Sequence, residues 1–151
     1  MKLTPEERKA WENMKPGAIT SQGFLGDQEN ISLHDLIEAD EELMQAHNLD
    51  FDEVGEKLLY LLEEGKKGLG EPITVEKKWI VRTDDTRGFL PCPFEDGIYH
   101  KTNLELSNID ESIKLICSEL SIHLLTKHHF LQGKGSPFRL EPKTLKSLLE
   151  L

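Results

Sequence analysis

Cysteine is scarce in this chain, which limits the chemistry open to it. Only Cys92 and Cys117 occur among 151 residues, and they form no close-spaced pair of the kind that marks a disulfide framework or a dithiol motif. The N-terminus also lacks the charged start and apolar run of a secretion signal. We therefore expect a cytoplasmic protein that folds without disulfide bonds.

Long apolar runs and positive charge are also in short supply. The longest apolar stretches, such as residues 58–62, are far too short to span a bilayer. Lys and Arg total 18 against 28 Asp and Glu, which gives a formal charge of −10. Such an excess opposes attraction to nucleic acid and to anionic lipid. We expect a water-soluble protein that binds neither.

Negative charge is concentrated between Asp27 and Glu64, where Lys57 is the single lysine. Acidic helix faces are usually just solvated, but they also suit a basic protein partner. The sequence therefore leaves open a basic partner that binds acidic helices within residues 32–64. It leaves a homodimer open as well.

Three helices are predicted in the first half of the chain. Thr4, Pro5 and Glu7 form a capping box with proline at the first helical position, and this helix should end near Met14, before Pro16. Helical spacing of apolar residues predicts a second helix after Ser32, to about His47, and a third from Asp50 to Gly65. The last two form a predicted helical hairpin.

Two features of this half depart from the pattern of amphipathic helices. Asp40 interrupts the apolar stripe of the second helix, so it should either form a salt bridge at the core edge or serve as a carboxylate of a functional site. Residues 17–30 show no sustained period and are predicted to be a loop. Within it, residues 23–26 (Gly-Phe-Leu-Gly) are either a binding loop or a buried apolar plug between two turns.

A period of two from residue 71 onward indicates strands. Residues 73–82 alternate as one strand with a buried face, although Lys77 interrupts the apolar side. A turn is then expected at Asp84-Asp85. Residues 88–94 should be an edge or irregular strand because Pro91 and Pro93 cannot donate hydrogen bonds.

The sheet should continue after a second turn. Asp96-Gly97 is expected to turn the chain into a strand over residues 98–106, and residues 113–117 should form another. Strands joined by tight turns predict a three- or four-stranded antiparallel meander, with the helices packed mainly on one face. The predicted class is α+β, in a single domain over residues 1–151.

The C-terminal part returns to helical signals. Ser118 can cap a helix to about Leu131, but alternating apolar residues leave helix and strand both open for residues 118–125. Pro142 is expected to begin a last helix over residues 142–151.

Residues 120–140 contain most of the candidate ligand-binding groups, including three of the six histidines. Residues 133–136 (Gly-Lys-Gly-Ser) resemble a phosphate cradle only in part, and a glycine stop to the preceding helix explains them too. If the cations converge, a phosphate or carboxylate would bind there. The candidate ligand-binding residues are Lys134, Ser136, Arg139, His129 and Arg87.

Zinc is the alternative ligand for this region. His123 and His128 are five residues apart, so on a helix they should diverge by roughly 140°, with His129 about 100° further on. One helix therefore cannot present all three to one ion. A zinc site would need one of them together with Cys92, His100 or a carboxylate from another element. The alternative is that the histidines form hydrogen bonds at the edge of the core and that the protein needs no cofactor.

Catalytic groups are the least defined feature. Cys92 lies between two prolines, as a structural thiol would, and nearby carboxylates should raise its pKa and oppose a nucleophilic role. His128 or His123 could transfer a proton if an anionic substrate binds.

Three functional hypotheses follow from these patterns. The first is a binding or protein-interaction domain without enzymatic activity. The second is an enzyme or binding protein for a small anionic ligand that uses residues 120–140. The third is a zinc-binding protein with Cys92 and histidines as ligands.

Overall fold

Five helices and one four-stranded sheet make up the part of the chain that the computed structural model describes, namely residues 4–15, 17, 19, 23–26, 32–136 and 138–151. The helices are α1 (Pro5–Asn13), α2 (Leu33–Ala46), α3 (Phe51–Lys66), α4 (Glu119–His128) and α5 (Pro142–Leu149). The strands are β1 (Ile73–Val75), β2 (Trp79–Pro91), β3 (Ile98–Asn108) and β4 (Lys114–Ser118). Much of the loop predicted over residues 17–30, and Pro16 and Pro137, lie outside the described residues.

The predicted helix starts are confirmed by side-chain caps. Thr4 forms the capping box with Glu7, and the Ser32 hydroxyl and the Asp50 carboxylate accept hydrogen bonds from backbone N–H groups in the first turns of α2 and α3. Ser118 caps α4 in the same way, so residues 119–125 are helical. α4 ends before Leu131 because His129 adopts a left-handed conformation with φ of 53°.

The sheet is an antiparallel meander with the strand order β1-β2-β3-β4. Each strand pairs with its neighbour in sequence, and β2 and β3 form the longest pairing. α3 packs against β2 and α4 against β3, which covers the face that carries Trp79, Val81, Leu104 and Leu106. The predicted α+β class and the four-stranded meander are confirmed.

The strand predicted over residues 73–82 is a hairpin. Glu76 and Lys77 turn the chain with φ of 52° and 58°, and Val75 pairs with Trp79. Residues directly opposite each other in an antiparallel pair point to the same face. The period-two pattern therefore continues through the turn and conceals it, and the interruption at Lys77 marks the turn itself.

The turn predicted at Asp84-Asp85 is also wrong. Both residues lie within β2, opposite Asn103 and Thr102 of β3. The hydroxyl of Thr102 donates a hydrogen bond of 2.7 Å to the Asp85 carboxylate. This bond and the cross-strand pairing hold two residues in a strand that their intrinsic preference would place in a turn.

The predicted strand over residues 88–94 is the end of β2. The register shifts between Thr86 and Phe89, and Gly88 has φ of 106°, as expected of a bulge that requires glycine. Pro91 is the last residue of the strand. The predicted turn at Asp96-Gly97 is present and leads into β3.

α4 lies between two apolar clusters. Its residues Ile122 and Leu125 belong to a cluster with α3, α5 and the sheet, whereas Leu120 and Leu124 belong to a second cluster. The second cluster joins α1, α2 and the buried residues Phe24, Leu25, Cys92 and Phe130. α4 is therefore apolar on two sides, which leaves few positions for its polar residues. None of the described helices is long and apolar enough to cross a membrane.

Two glycine segments pack backbone to backbone. The Gly133 N–H donates a hydrogen bond of 2.8 Å to the Phe24 carbonyl, and a Cβ on Gly133 would overlap the Leu25 carbonyl oxygen. Phe24 and Leu25 are 4% and 1% exposed. Residues 23–26 are thus a buried apolar plug, and the glycine at 133 serves close packing.

Replacing Lys77 by glycine should stabilise the protein. Glycine adopts positive φ without steric cost, and hairpin turns of this type favour it. We expect a gain of about 0.5–1 kcal/mol in the free energy of unfolding, measured by urea denaturation. Lys114→Gly, at the first residue of β4, where the chain is extended, should instead lower it by about 0.5–1 kcal/mol. A loss of stability in Lys77→Gly would contradict the hairpin.

Candidate metal-binding site

A tight turn between β2 and β3 forms one side of the site. The Cys92 N–H donates to the Gly97 carbonyl over 2.9 Å, and the Glu95 N–H donates to the Cys92 carbonyl over 2.8 Å. The Asn13 side chain donates to the Pro93 carbonyl over 2.8 Å and so fixes the turn to the end of α1. The turn holds Cys92 and Asp96 in defined positions, facing α4.

The Asp96 carboxylate joins this turn to α4. One oxygen lies 3.0 Å from Nε2 of His123, and the other lies 2.7 Å from Nε2 of His128. The side chains of His123 and His128 are only 15% and 19% exposed, and that of Asp96 is 32% exposed. One carboxylate therefore holds two largely buried imidazoles.

Aromatic rings fix the orientation of both imidazoles. Phe94 stacks on His128 with ring centroids 3.9 Å apart, and Tyr99 stacks on His123 at 4.4 Å. The Tyr99 hydroxyl also lies 2.8 Å from Nδ1 of His123. The two imidazole rings are close to perpendicular, with their centroids 5.2 Å apart. Their Nε2 atoms are the ones that face Asp96.

The charges in the cluster depend on one another. Burial raises the pKa of Asp96, but hydrogen bonds from Cys92, His123 and His128 outweigh it and hold that pKa well below its usual range. Burial lowers the pKa of His128, against the opposing effect of its bond to Asp96. Burial first, and the hydrogen bond to Asp96 second, raise the pKa of the Cys92 thiol to about 12. Without an ion the thiol is protonated.

Four potential metal ligands of three types, a thiol, a carboxylate and two imidazoles, meet here. The Cys92 sulfur, an Asp96 oxygen and one nitrogen each from His123 and His128 lie within 4.8 Å of one another. In a tetrahedral zinc site with bonds of about 2.0–2.3 Å, ligand atoms are roughly 3.3–3.6 Å apart. The separations among the four atoms therefore exceed that spacing by no more than about 1.5 Å. An ion would have to draw the four side chains closer together.

His123 and His128 both reach Asp96 although their Cβ atoms point about 140° apart on a helix. Nε2 lies beyond two rotatable bonds, so its position does not follow from the Cβ direction. Stacking on Tyr99 and Phe94 holds both rings turned toward the carboxylate. The requirement for a zinc site with only one of these histidines was therefore too strict.

The remaining histidine candidates lie elsewhere. His129 pairs with Glu41 of α2 over 2.7 Å and stacks on Phe51 at 3.9 Å. His100 is exposed on β3, where its ring lies 4.7 Å from that of Phe89. His100, proposed as a zinc ligand, does not belong to the four-residue cluster. His129 is turned to α2 rather than to the Cys92–Gly97 turn.

Arg139 is a structural residue. Its Nη2 and Nη1 atoms donate to the two oxygens of Asp40 over 2.9 and 3.1 Å, and its Nε donates to Glu141 over 2.8 Å. A further Nη1 bond reaches the Gln132 carbonyl. The side chains of Arg139 and Asp40 are only 7% and 6% exposed. Asp40 thus forms a buried salt bridge, the first of its two predicted roles.

The other anion-binding candidates are spread along the chain. The Ser136 hydroxyl donates to the buried Gln132 side chain over 2.7 Å, and Lys134 lies in an exposed turn beside it. Arg87 is exposed near the bulge of β2. Arg139 directs its donors to Asp40, Glu141 and Gln132, so these groups occupy the guanidinium that was expected to bind an anion.

Sequence reasoning missed Asp96, which belongs to the cluster, and Tyr99, which contacts His123. Asp96 was assigned to the turn that it forms with Gly97, because aspartate is common in turns regardless of function. Tyr99 stands in the following strand without any distinguishing motif. The sequence offered only two spacings, Cys92 to Asp96 and His123 to His128. Neither matches a common metal-binding pattern, so they could not identify the site.

Comparison with known proteins adds no functional assignment. The chain matches no family model, and no curated protein or solved structure is similar enough to count as a match.

Removing one side of the Asp40–Arg139 pair should destabilise the protein strongly. Arg139→Ala leaves a buried carboxylate without its main partner, and we expect a loss of about 3–5 kcal/mol in the free energy of unfolding. Arg82→Ala, which removes the exposed pair with Glu105, should cost no more than about 1 kcal/mol. Chemical denaturation of both variants measures the difference. Equal losses would contradict a buried structural pair.

Proposed function

We propose that this protein binds zinc through Cys92, Asp96, His123 and His128. The supporting observation is the convergence of four different ligand atoms, contributed by two separate elements, within 4.8 Å. The Cys92–Gly97 turn supplies the sulfur and the oxygen, and α4 supplies both nitrogens. Hydrogen bonds and ring stacking already restrain Asp96 and both imidazoles, which lowers the cost of ordering them when an ion binds.

The ligand types favour zinc over other common cations. A thiolate and a carboxylate together carry two negative charges, which would neutralise a divalent ion in this largely buried setting. Sulfur and imidazole are ligands that zinc accepts and that magnesium and calcium avoid. Zinc would also displace the Cys92 proton, since a coordinating thiol is deprotonated. A reducing cytoplasm would keep Cys92 in the thiol state that metal binding requires.

The role that fits best is a structural one. Four protein ligands complete a tetrahedral shell, as in sites that stabilise a fold, whereas catalytic sites keep one position open. The ion would join the turn between β2 and β3 to the C-terminal end of α4. A neighbouring pocket of about 360 Å³ is lined by Cys92 but by none of the other three ligands. This pocket does not offer a substrate access to the imidazoles.

Metal analysis tests this proposal directly. Protein purified without an affinity tag or chelator should contain about one equivalent of zinc by mass spectrometry. Zinc added to the metal-free protein at 100 times its dissociation constant should raise the free energy of unfolding by about 2.7 kcal/mol. Zinc content below about a tenth of an equivalent, with no stabilisation on addition, would contradict the proposal.

Variants assign the ligands. Cys92→Ser and His128→Ala should each weaken zinc binding more than about 100-fold, because losing a direct ligand costs more than losing an outer-shell partner. His100→Ala is the matched control and should bind zinc like the wild type. Competition with a chromophoric chelator gives the affinities, and unfolding of the metal-free proteins shows whether each variant folds.

The interaction hypothesis stays a prediction alongside this proposal. Exposed carboxylates such as Glu42 on α2 and Asp52 and Glu56 on α3 give these helices a negative surface that suits a basic protein. Two carboxylates of α2, on Asp40 and Glu41, are already paired within the fold. The anionic-ligand hypothesis has less support, because Arg139 donates its hydrogen bonds to residues of the chain itself.

A further inference from the structure

The Tyr99 hydroxyl is placed to control which nitrogen of His123 binds the ion. It lies 2.8 Å from Nδ1, while Nε2 of the same ring faces Asp96 at 3.0 Å. The two nitrogens of one imidazole therefore point to different partners. Only Nε2 is directed toward the group of four ligand atoms.

A metal-bound imidazole has a specific need at its second nitrogen. Once Nε2 coordinates an ion, Nδ1 carries the ring proton and requires a hydrogen-bond acceptor. A phenol oxygen can accept that bond, and it can donate when the proton is on Nε2 instead. Tyr99 can thus keep its contact with His123 both with and without the ion.

We propose that Tyr99 is a positioning residue of the metal site, one that commits His123 to bind through Nε2. This inference rests on the zinc-binding function proposed above. Stacking of the Tyr99 and His123 rings restrains the plane of the imidazole, and the hydroxyl selects the ring flip that turns Nδ1 toward Tyr99. Phe94 stacks on His128 in a similar way, but its ring has no atom that forms such a hydrogen bond.

The neighbouring backbone also leaves room for the Tyr99 side chain. A Cβ on Gly97 would lie 3.1 Å from the Tyr99 hydroxyl oxygen and 3.2 Å from its ring. Those distances are tighter than ordinary contacts, so glycine at 97 leaves the space that the phenol occupies. The turn that carries Cys92 and Asp96 therefore also accommodates the outer-shell partner of His123.

Tyr99→Phe tests the inference because it retains the aromatic ring and removes only the hydroxyl. We expect zinc affinity to fall about 10–100-fold, as is typical when an outer-shell partner is lost. The chain contains one other tyrosine, Tyr60, which is exposed on α3, and Tyr60→Phe should leave the affinity unchanged. Chelator competition measures both variants against the wild type.

A second measurement separates positioning from a general effect on folding. In zinc-loaded wild type, ¹⁵N NMR of the histidine side chains should show His123 coordinated through Nε2, with its proton on Nδ1. Affinity of Tyr99→Phe within twofold of wild type, or coordination of His123 through Nδ1, would overturn this inference alone. Absence of zinc binding in the wild type would overturn the proposed function and this inference with it.

Discussion

The burial of α4 between two apolar clusters is the constraint that determines the site. A helix buried on two sides has little surface left for polar side chains, and burying an imidazole without a hydrogen-bond partner is costly. His123 and His128 are therefore viable only where another element supplies partners. The Cys92–Gly97 turn does so with Asp96, and the first residues of β3 do so with Tyr99. The packing of α4, the Cys92–Gly97 turn and the candidate site therefore depend on one another.

An ion would change the balance of charge in that arrangement. A single carboxylate is shared by two imidazoles and a protonated thiol, and these hydrogen bonds hold its pKa low. A divalent ion would take over the lone pairs of both Nε2 atoms and of the sulfur. The existing contacts keep the ligands close together before the ion arrives. The same residues can thus serve as a polar network and as a coordination shell.

The sequence predicts most of the fold because helix caps and apolar stripes are local signals. Thr4, Ser32 and Asp50 begin their helices as expected. The strand boundaries were harder to predict, since Asp84 and Asp85 are held in β2 by pairing with Asn103 and Thr102, which lie about 18 residues further along the chain. The site could be predicted only in part, because it too depends on contacts between distant parts of the chain. Cys92, His123 and His128 were candidates by residue type, but Asp96 becomes a shared partner only when the turn meets α4.

X-ray absorption at the zinc edge tests the coordination of the ion most directly. If Cys92, Asp96, His123 and His128 bind the ion, the spectrum of the zinc-loaded protein shows four ligands, of which one is sulfur at about 2.3 Å and three are nitrogen or oxygen at about 2.0–2.2 Å. Cys92→Ser then removes the sulfur shell, while replacement of the buried Cys117 leaves it intact. A shell of nitrogen and oxygen alone, or six-fold coordination, would contradict a site built from Cys92, Asp96, His123 and His128.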